Sequence, residues 1–159
     1  MFLYVEDMPG LDEQFIDFKG SMSVGFNVGS ITDEVGTQGF LHAFFSTISY
    51  HLEPNGWGTI FPELMNELYQ GRLDASQNAK VLNDVLVIRE LLKDYSPQNV
   101  VWDIENLGAR PPWGSNIASD ITDLSNYFVT STGRDLFEVL IECLEAAQRR
   151  GIDVLIVEY

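Results

Sequence analysis

Met22, Val24, Phe26 and Val28 alternate with Ser21, Ser23, Gly25 and Asn27, a period of two that predicts a strand with one buried face. The glycines around it mark an edge or a bulge. At Thr37 the period lengthens. Phe40, Leu41, Phe44, Phe45, Ile48 and Leu52 recur every three or four residues, which predicts an amphipathic helix ended by Pro54, Asn55 and Gly56. Pro62, which has no N–H to leave unpaired in a first helical turn, opens a short second helix carrying Leu64, Met65 and Leu68 up to Gly71.

Asp74 or Ser76 caps a third helix with the stripe Val81, Val85, Ile88 and Leu92, closed before Pro97. Val100 to Trp102 reads as a short buried strand, Asn106 to Ser119 as a loop, and Tyr127 to Val129 as another strand. Asp135 with Glu138 three residues on forms a capping-box start for a last helix whose face is Leu136, Leu140, Leu144 and Ala147. Arg149 and Arg150 suit its C-terminal dipole and Gly151 its C′ position. Val154 to Val157 is a continuous apolar strand. The pattern predicts a single α+β domain over residues 1–159, a small sheet of about four or five strands with about four helices packed against it.

Composition adds a charge to this picture. The chain holds 24 acidic and 9 basic residues, a net charge of −15. Phosphate and anionic lipid need Lys and Arg clusters, so nucleic acid and membrane surfaces are poor partners, and a basic protein or plain solubility accounts for the excess. The excess is uneven: residues 1–35 hold seven acids and one base, residues 74–96 four and three. The start of the chain has no basic region of a secretory signal, and no apolar run nears the roughly 18 residues of a membrane span, so a cytoplasmic location is expected. Cys143, between apolar helical positions, reads as a buried small hydrophobe.

Motifs for catalysis are sparse. His42 and His51 are nine residues apart on one helix, so at about 100° per residue they point to opposite sides and cannot share a metal. There is no nucleophile elbow, no phosphate loop and no calcium-loop order, and neither cofactor nor metal is expected. Asp103 and Glu105, two apart beside Trp102, share one face if that segment is a strand, and a carboxylate pair can do acid–base work. Two Trp residues sit on stiff turns, in Gly56-Trp57-Gly58 and in Pro111-Pro112-Trp113-Gly114. Each is either a lid over the core or an anchor for a partner.

Several runs together are more specific. Phe44-Phe45-Ser46-Thr47, Gly56-Trp57-Gly58, Phe61-Pro62 and Leu64-Met65-Asn66-Glu67-Leu68-Tyr69-Gln70-Gly71 are followed by Val101-Trp102-Asp103-Ile104-Glu105, Pro111-Pro112-Trp113-Gly114 and Leu124-Ser125-Asn126-Tyr127-Phe128-Val129-Thr130. With Gly133-Arg134-Asp135-Leu136-Phe137-Glu138-Val139, this pattern resembles the immunity protein 70 family of bacterial polymorphic toxin and contact-dependent inhibition systems, over roughly residues 36–147. The resemblance implies a small cytoplasmic antidote, encoded next to a toxin, that binds the toxin's C-terminal domain. Many such toxins are nucleases with basic sites, which an acidic antidote could occlude in a 1:1 complex.

Two acidic surfaces are candidates for that contact. One is N-terminal, with Asp12, Glu13, Asp17, Asp33 and Glu34, where the resemblance is weakest. The other is the central loop, where Asp103, Glu105, Asp120 and Asp123 surround a Trp113 anchor. Two other classes fit the same residues: a small hydrolase or transferase using Asp103 or Glu105, and an acidic protein-binding adaptor.

Overall fold

The computed structural model describes residues 22–159. Four antiparallel strands form one sheet in the order β2-β1-β4-β3, with β1 Ser23–Val28, β2 Ile31–Thr37, β3 Arg72–Leu73 and β4 Val154–Glu158. Four helices complete the α+β domain: α1 Gln38–Leu52, the short α2 Glu63–Leu68, α3 Asn78–Leu92 and α4 Leu136–Arg150. α2 closes on a wide turn, with the Tyr69 N–H reaching the Leu64 carbonyl five residues back at 3.2 Å.

Val24, Phe26 and Val28 of β1 turn into the core, as their alternation predicts. They meet Phe40, Phe44, Phe45 and Ile48 of α1 and Leu136, Leu140 and Leu144 of α4. At the centre the Phe44 ring lies edge-on to Phe128 at 5.3 Å and to Phe137 at 5.0 Å, so one side chain from α1 ties the last loop and α4 together. Truncating a phenylalanine so placed costs about 3–5 kcal/mol.

β1 is an inner strand. Its register shifts between Val24 and Gly25, and the glycine there is a bulge: a Cβ on Gly25 would lie 2.7 Å from the Asp33 carbonyl oxygen. The helix ends follow their capping residues. The Thr37 hydroxyl accepts from the Phe40 N–H at 3.0 Å, the Asp135 carboxylate accepts from the Glu138 N–H at 3.2 Å, and Gly151 closes α4 at φ 66°. Asp74 caps the 3₁₀ turn Ala75–Gln77 that leads into α3.

Two expected strands are loops. Val100 to Trp102 does not join the sheet, because buried hydroxyls of α1 take over its backbone pairing: Val101 exchanges hydrogen bonds with Thr47 Oγ1 at 3.0 and 3.2 Å. The Ile104 N–H likewise donates to Ser46 Oγ at 3.1 Å. Tyr127 to Val129 makes one bridge, Val129 to Asp135, because the chain reverses after Thr130 and runs directly into α4. In their place stand β2 and the two-residue β3, and alternation hides β2: its adjacent Asp33 and Glu34 break the pattern, and Val35 alone is buried.

Candidate partner-binding surface

The two tryptophan loops differ: one closes over the core and the other leaves its indole exposed. Glu53, only 3% exposed, sits at the end of α1 and accepts three backbone hydrogen bonds, from Gly58 at 2.9 Å, Ile60 at 3.1 Å and Phe61 at 2.9 Å. This carboxylate organises the Gly-Trp-Gly loop from inside. Trp57 then packs on Phe45 and Tyr69, and its indole N–H donates to the Met65 carbonyl at 2.9 Å. Trp57 is a lid over the core.

Trp113 is different. It is 38% exposed, stands edge-on to Trp102 at 5.4 Å, and donates its indole N–H to the Tyr127 hydroxyl at 2.8 Å. Tyr127 is buried, and that burial pushes its phenol up despite the hydrogen bond from Trp113. Two clefts flank this aromatic group and share Ile117 and Tyr127. One of about 500 Å³ includes Val100, Arg110 and Pro111, and one of about 200 Å³ includes Trp113, Ile121 and Val129. A rigid, half-exposed Trp between clefts has the form of an interface anchor.

The acids expected around Trp113 divide in two. Asp123 is committed to its own turn, accepting from the Ser125 N–H at 2.8 Å and the Thr122 hydroxyl at 2.9 Å. Burial raises its carboxyl, but the bonds from Ser125 and Thr122, with Lys93 nearby, outweigh it and hold the group below the usual carboxylate range. Asp103 is committed too: its Oδ1 accepts from the Glu105 N–H at 2.9 Å and meets His42 Nε2 at 3.1 Å. Asp103 and Glu105 sit on a turn, so they do not share the strand face that their spacing predicts. Glu105 and Asp120 are exposed.

The N-terminal acids divide as well. Asp12, Glu13 and Asp17 lie outside the described residues. Asp33 and Glu34 are neighbours on β2 and use different partners: Asp33 accepts from the Cys143 thiol at 3.4 Å, and Glu34 accepts from the Ser131 hydroxyl. As neighbours on one strand, Asp33 and Glu34 point to opposite faces of the sheet.

His42 joins a hydrogen-bonded chain that its spacing from His51 does not reveal. Its Nε2 lies 3.1 Å from the Asp103 carboxylate, which can only accept, so Nε2 carries a proton, and its Nδ1 lies 2.7 Å from the Tyr69 hydroxyl. The result is a hydroxyl–imidazole–carboxylate chain from Tyr69 to Asp103, with Trp57 stacked on the imidazole at 6.2 Å. His51, on the opposite side of α1 as its spacing predicts, meets the Asn99 carbonyl at 2.7 Å. The appearance of Tyr69 and Asp103 in the same set of runs was the available signal.

Among the described residues no helix is long and apolar enough to cross a membrane. No curated protein and no solved structure matches the chain. The model of one family, immunity protein 70, matches residues 26–156, wider than the 36–147 of the sequence resemblance, so that β2 with Asp33 and Glu34 falls inside it. Trp57, Tyr69, Trp102, Asp103, Trp113 and Tyr127 all lie within the matched span, and the chain belongs to the immunity protein 70 family.

Proposed function

We propose that this protein is a non-catalytic cytoplasmic antidote that binds the C-terminal domain of a cognate bacterial toxin one to one. The toxin is a nuclease, and the antidote covers its basic, phosphate-binding site. Family membership supports the immunity role. The observation that carries the mode of binding is Trp113, held half-exposed on a stiff loop in a chain of net charge −15, with Glu105 and Asp120 exposed on the same loop region.

Charge of this sign steers a basic partner, raising association towards about 10⁸–10⁹ M⁻¹s⁻¹ at low salt. Rapid capture suits an antidote. Co-expression with the toxin domain encoded by the neighbouring gene should rescue growth, and the purified pair should form a 1:1 complex that weakens as salt rises. Growth arrest despite co-expression would sink the reading.

A second reading rests on one arrangement. The Tyr69–His42–Asp103 chain resembles the hydroxyl–base–orienter order of a small hydrolase or transferase. Turnover of a substrate by the purified chain alone, abolished in Asp103→Asn, would select that reading over the antidote.

A further inference from the structure

A cleft of about 210 Å³ opens beside His42, on the side of α1 that faces the end of the sheet. Its volume lies below the roughly 300–1,000 Å³ of pockets for drug-sized ligands and suits a single long side chain. The floor is apolar, made by Val24, Leu41 and Ile156. The rest of the lining is polar, made by Tyr69, His42, Gln38 and Glu158, and the Gln38 amide donates to Glu158 Oε2.

Glu158 is the one formally charged residue in the lining of this cleft, which holds no Lys or Arg. Every lining residue comes from residues 20–71 or 151–159, and neither stretch contains a Lys or an Arg. Burial first, and then the negative charges of Glu105 and Asp103, push the Tyr69 phenol above its ordinary value, so the potential at the rim opposes a further negative charge.

We infer that this cleft is the socket for an arginine side chain of the basic partner. The three apolar floor residues receive the methylene stem, as long basic side chains prefer. The planar guanidinium lies against the Tyr69 ring and meets the Glu158 carboxylate, a combination that a lysine ammonium matches less well. The inference rests on the reading of the protein as a binder of a basic protein, and it adds a second anchor point to Trp113.

The test needs no toxin. The full chain is titrated with Nα-acetyl-arginine amide and with Nα-acetyl-citrulline amide, its uncharged isostere, while NMR follows the Leu41 and Ile156 methyls and the His42 ring. The arginine probe should shift these signals saturably, with the citrulline probe at least about fivefold weaker, the scale of one exposed charge pair. Glu158→Gln should remove most of that difference. Equal shifts from the two probes, arginine shifts spread over the acidic surface, or an unchanged preference in Glu158→Gln would overturn the socket. Because co-expression is a separate assay, failure here leaves the antidote role standing, and failure there leaves the socket measured.

Discussion

The indole N–H of Trp113 ends on the hydroxyl of Tyr127, 2.8 Å away, so the most exposed aromatic of the central loop is pinned to one of the most buried. Pinning lowers the entropy that a side chain loses on binding, which is how a single rigid tryptophan becomes an anchor. Tyr127 in turn rests edge-on against Phe128, and Phe128 against Phe44, so the anchor is continuous with the core.

Tyr127→Phe tests this pin. The variant keeps the ring and removes the acceptor, so stability should fall by only about 1 kcal/mol, the net worth of one hydrogen bond. Partner affinity should fall further than stability, and tryptophan emission should shift red as Trp113 moves into water. An affinity equal to that of the parent protein would show that the pin does not serve binding.

Glu53 carries a larger share of the fold. Its carboxylate satisfies three backbone N–H groups from Gly58 to Phe61, and an alanine would leave them without acceptors. Glu53→Ala should cost about 3 kcal/mol or more in urea unfolding, within the range of buried groups left unpaired. Glu53→Gln, which keeps one acceptor oxygen, should cost less. Equal stability of all three proteins would contradict the role given to this carboxylate.

Asp123 predicts a limb of the pH profile. Its folded carboxyl lies below the ordinary range, so the unfolded state binds the proton first as pH drops. Its contribution is therefore fully present above about pH 4, where an unfolded Asp is ionised, and disappears as pH falls through the lowered folded value. Asp123→Asn should be less stable than the parent at neutral pH, and the gap should close in acid. A gap independent of pH would refute the assignment.

Cys143 predicts the opposite limb. Burial, with Asp33 beside it, pushes the thiol up to about 12, so the native thiol stays protonated where an unfolded one ionises. Alkylation by iodoacetamide at pH 8 should be slower in the native protein than in denaturant by on the order of a thousandfold, since the thiolate is the reactive form. Stability should decline as pH rises past the ordinary thiol value of about 8.5, because the unfolded state then binds fewer protons.

Much of this fold is legible in the chain because burial writes its own period. The α1 and α4 stripes and the alternation of β1 name core residues directly, and Asp135 and Gly151 announce the ends of α4. Legibility fails where backbone pairing is decided by distant groups. Val101 looks like a strand residue, yet its partners are on the Thr47 hydroxyl, 54 residues earlier, which no local pattern reveals. β2 is hidden for the converse reason, being an edge strand with one buried side chain. For the surface, the Trp113 loop was legible from its prolines and glycine. That Asp103 and Asp123 would be spent inside the molecule was not, because a carboxylate's hydrogen-bond partners depend on the folded chain.

We propose that the surface around Trp113 captures a basic toxin domain. The most direct measurement is the dissociation constant of the complex with the toxin domain of the neighbouring gene, at low and high salt, for the parent protein and for Trp113→Ala combined with Glu105→Lys and Asp120→Lys. The parent should bind one to one and weaken with salt. The triple variant should keep its melting temperature within a few degrees while losing at least about a hundredfold in affinity, the scale of one anchor residue plus its charges. An affinity unchanged in the triple variant would contradict it.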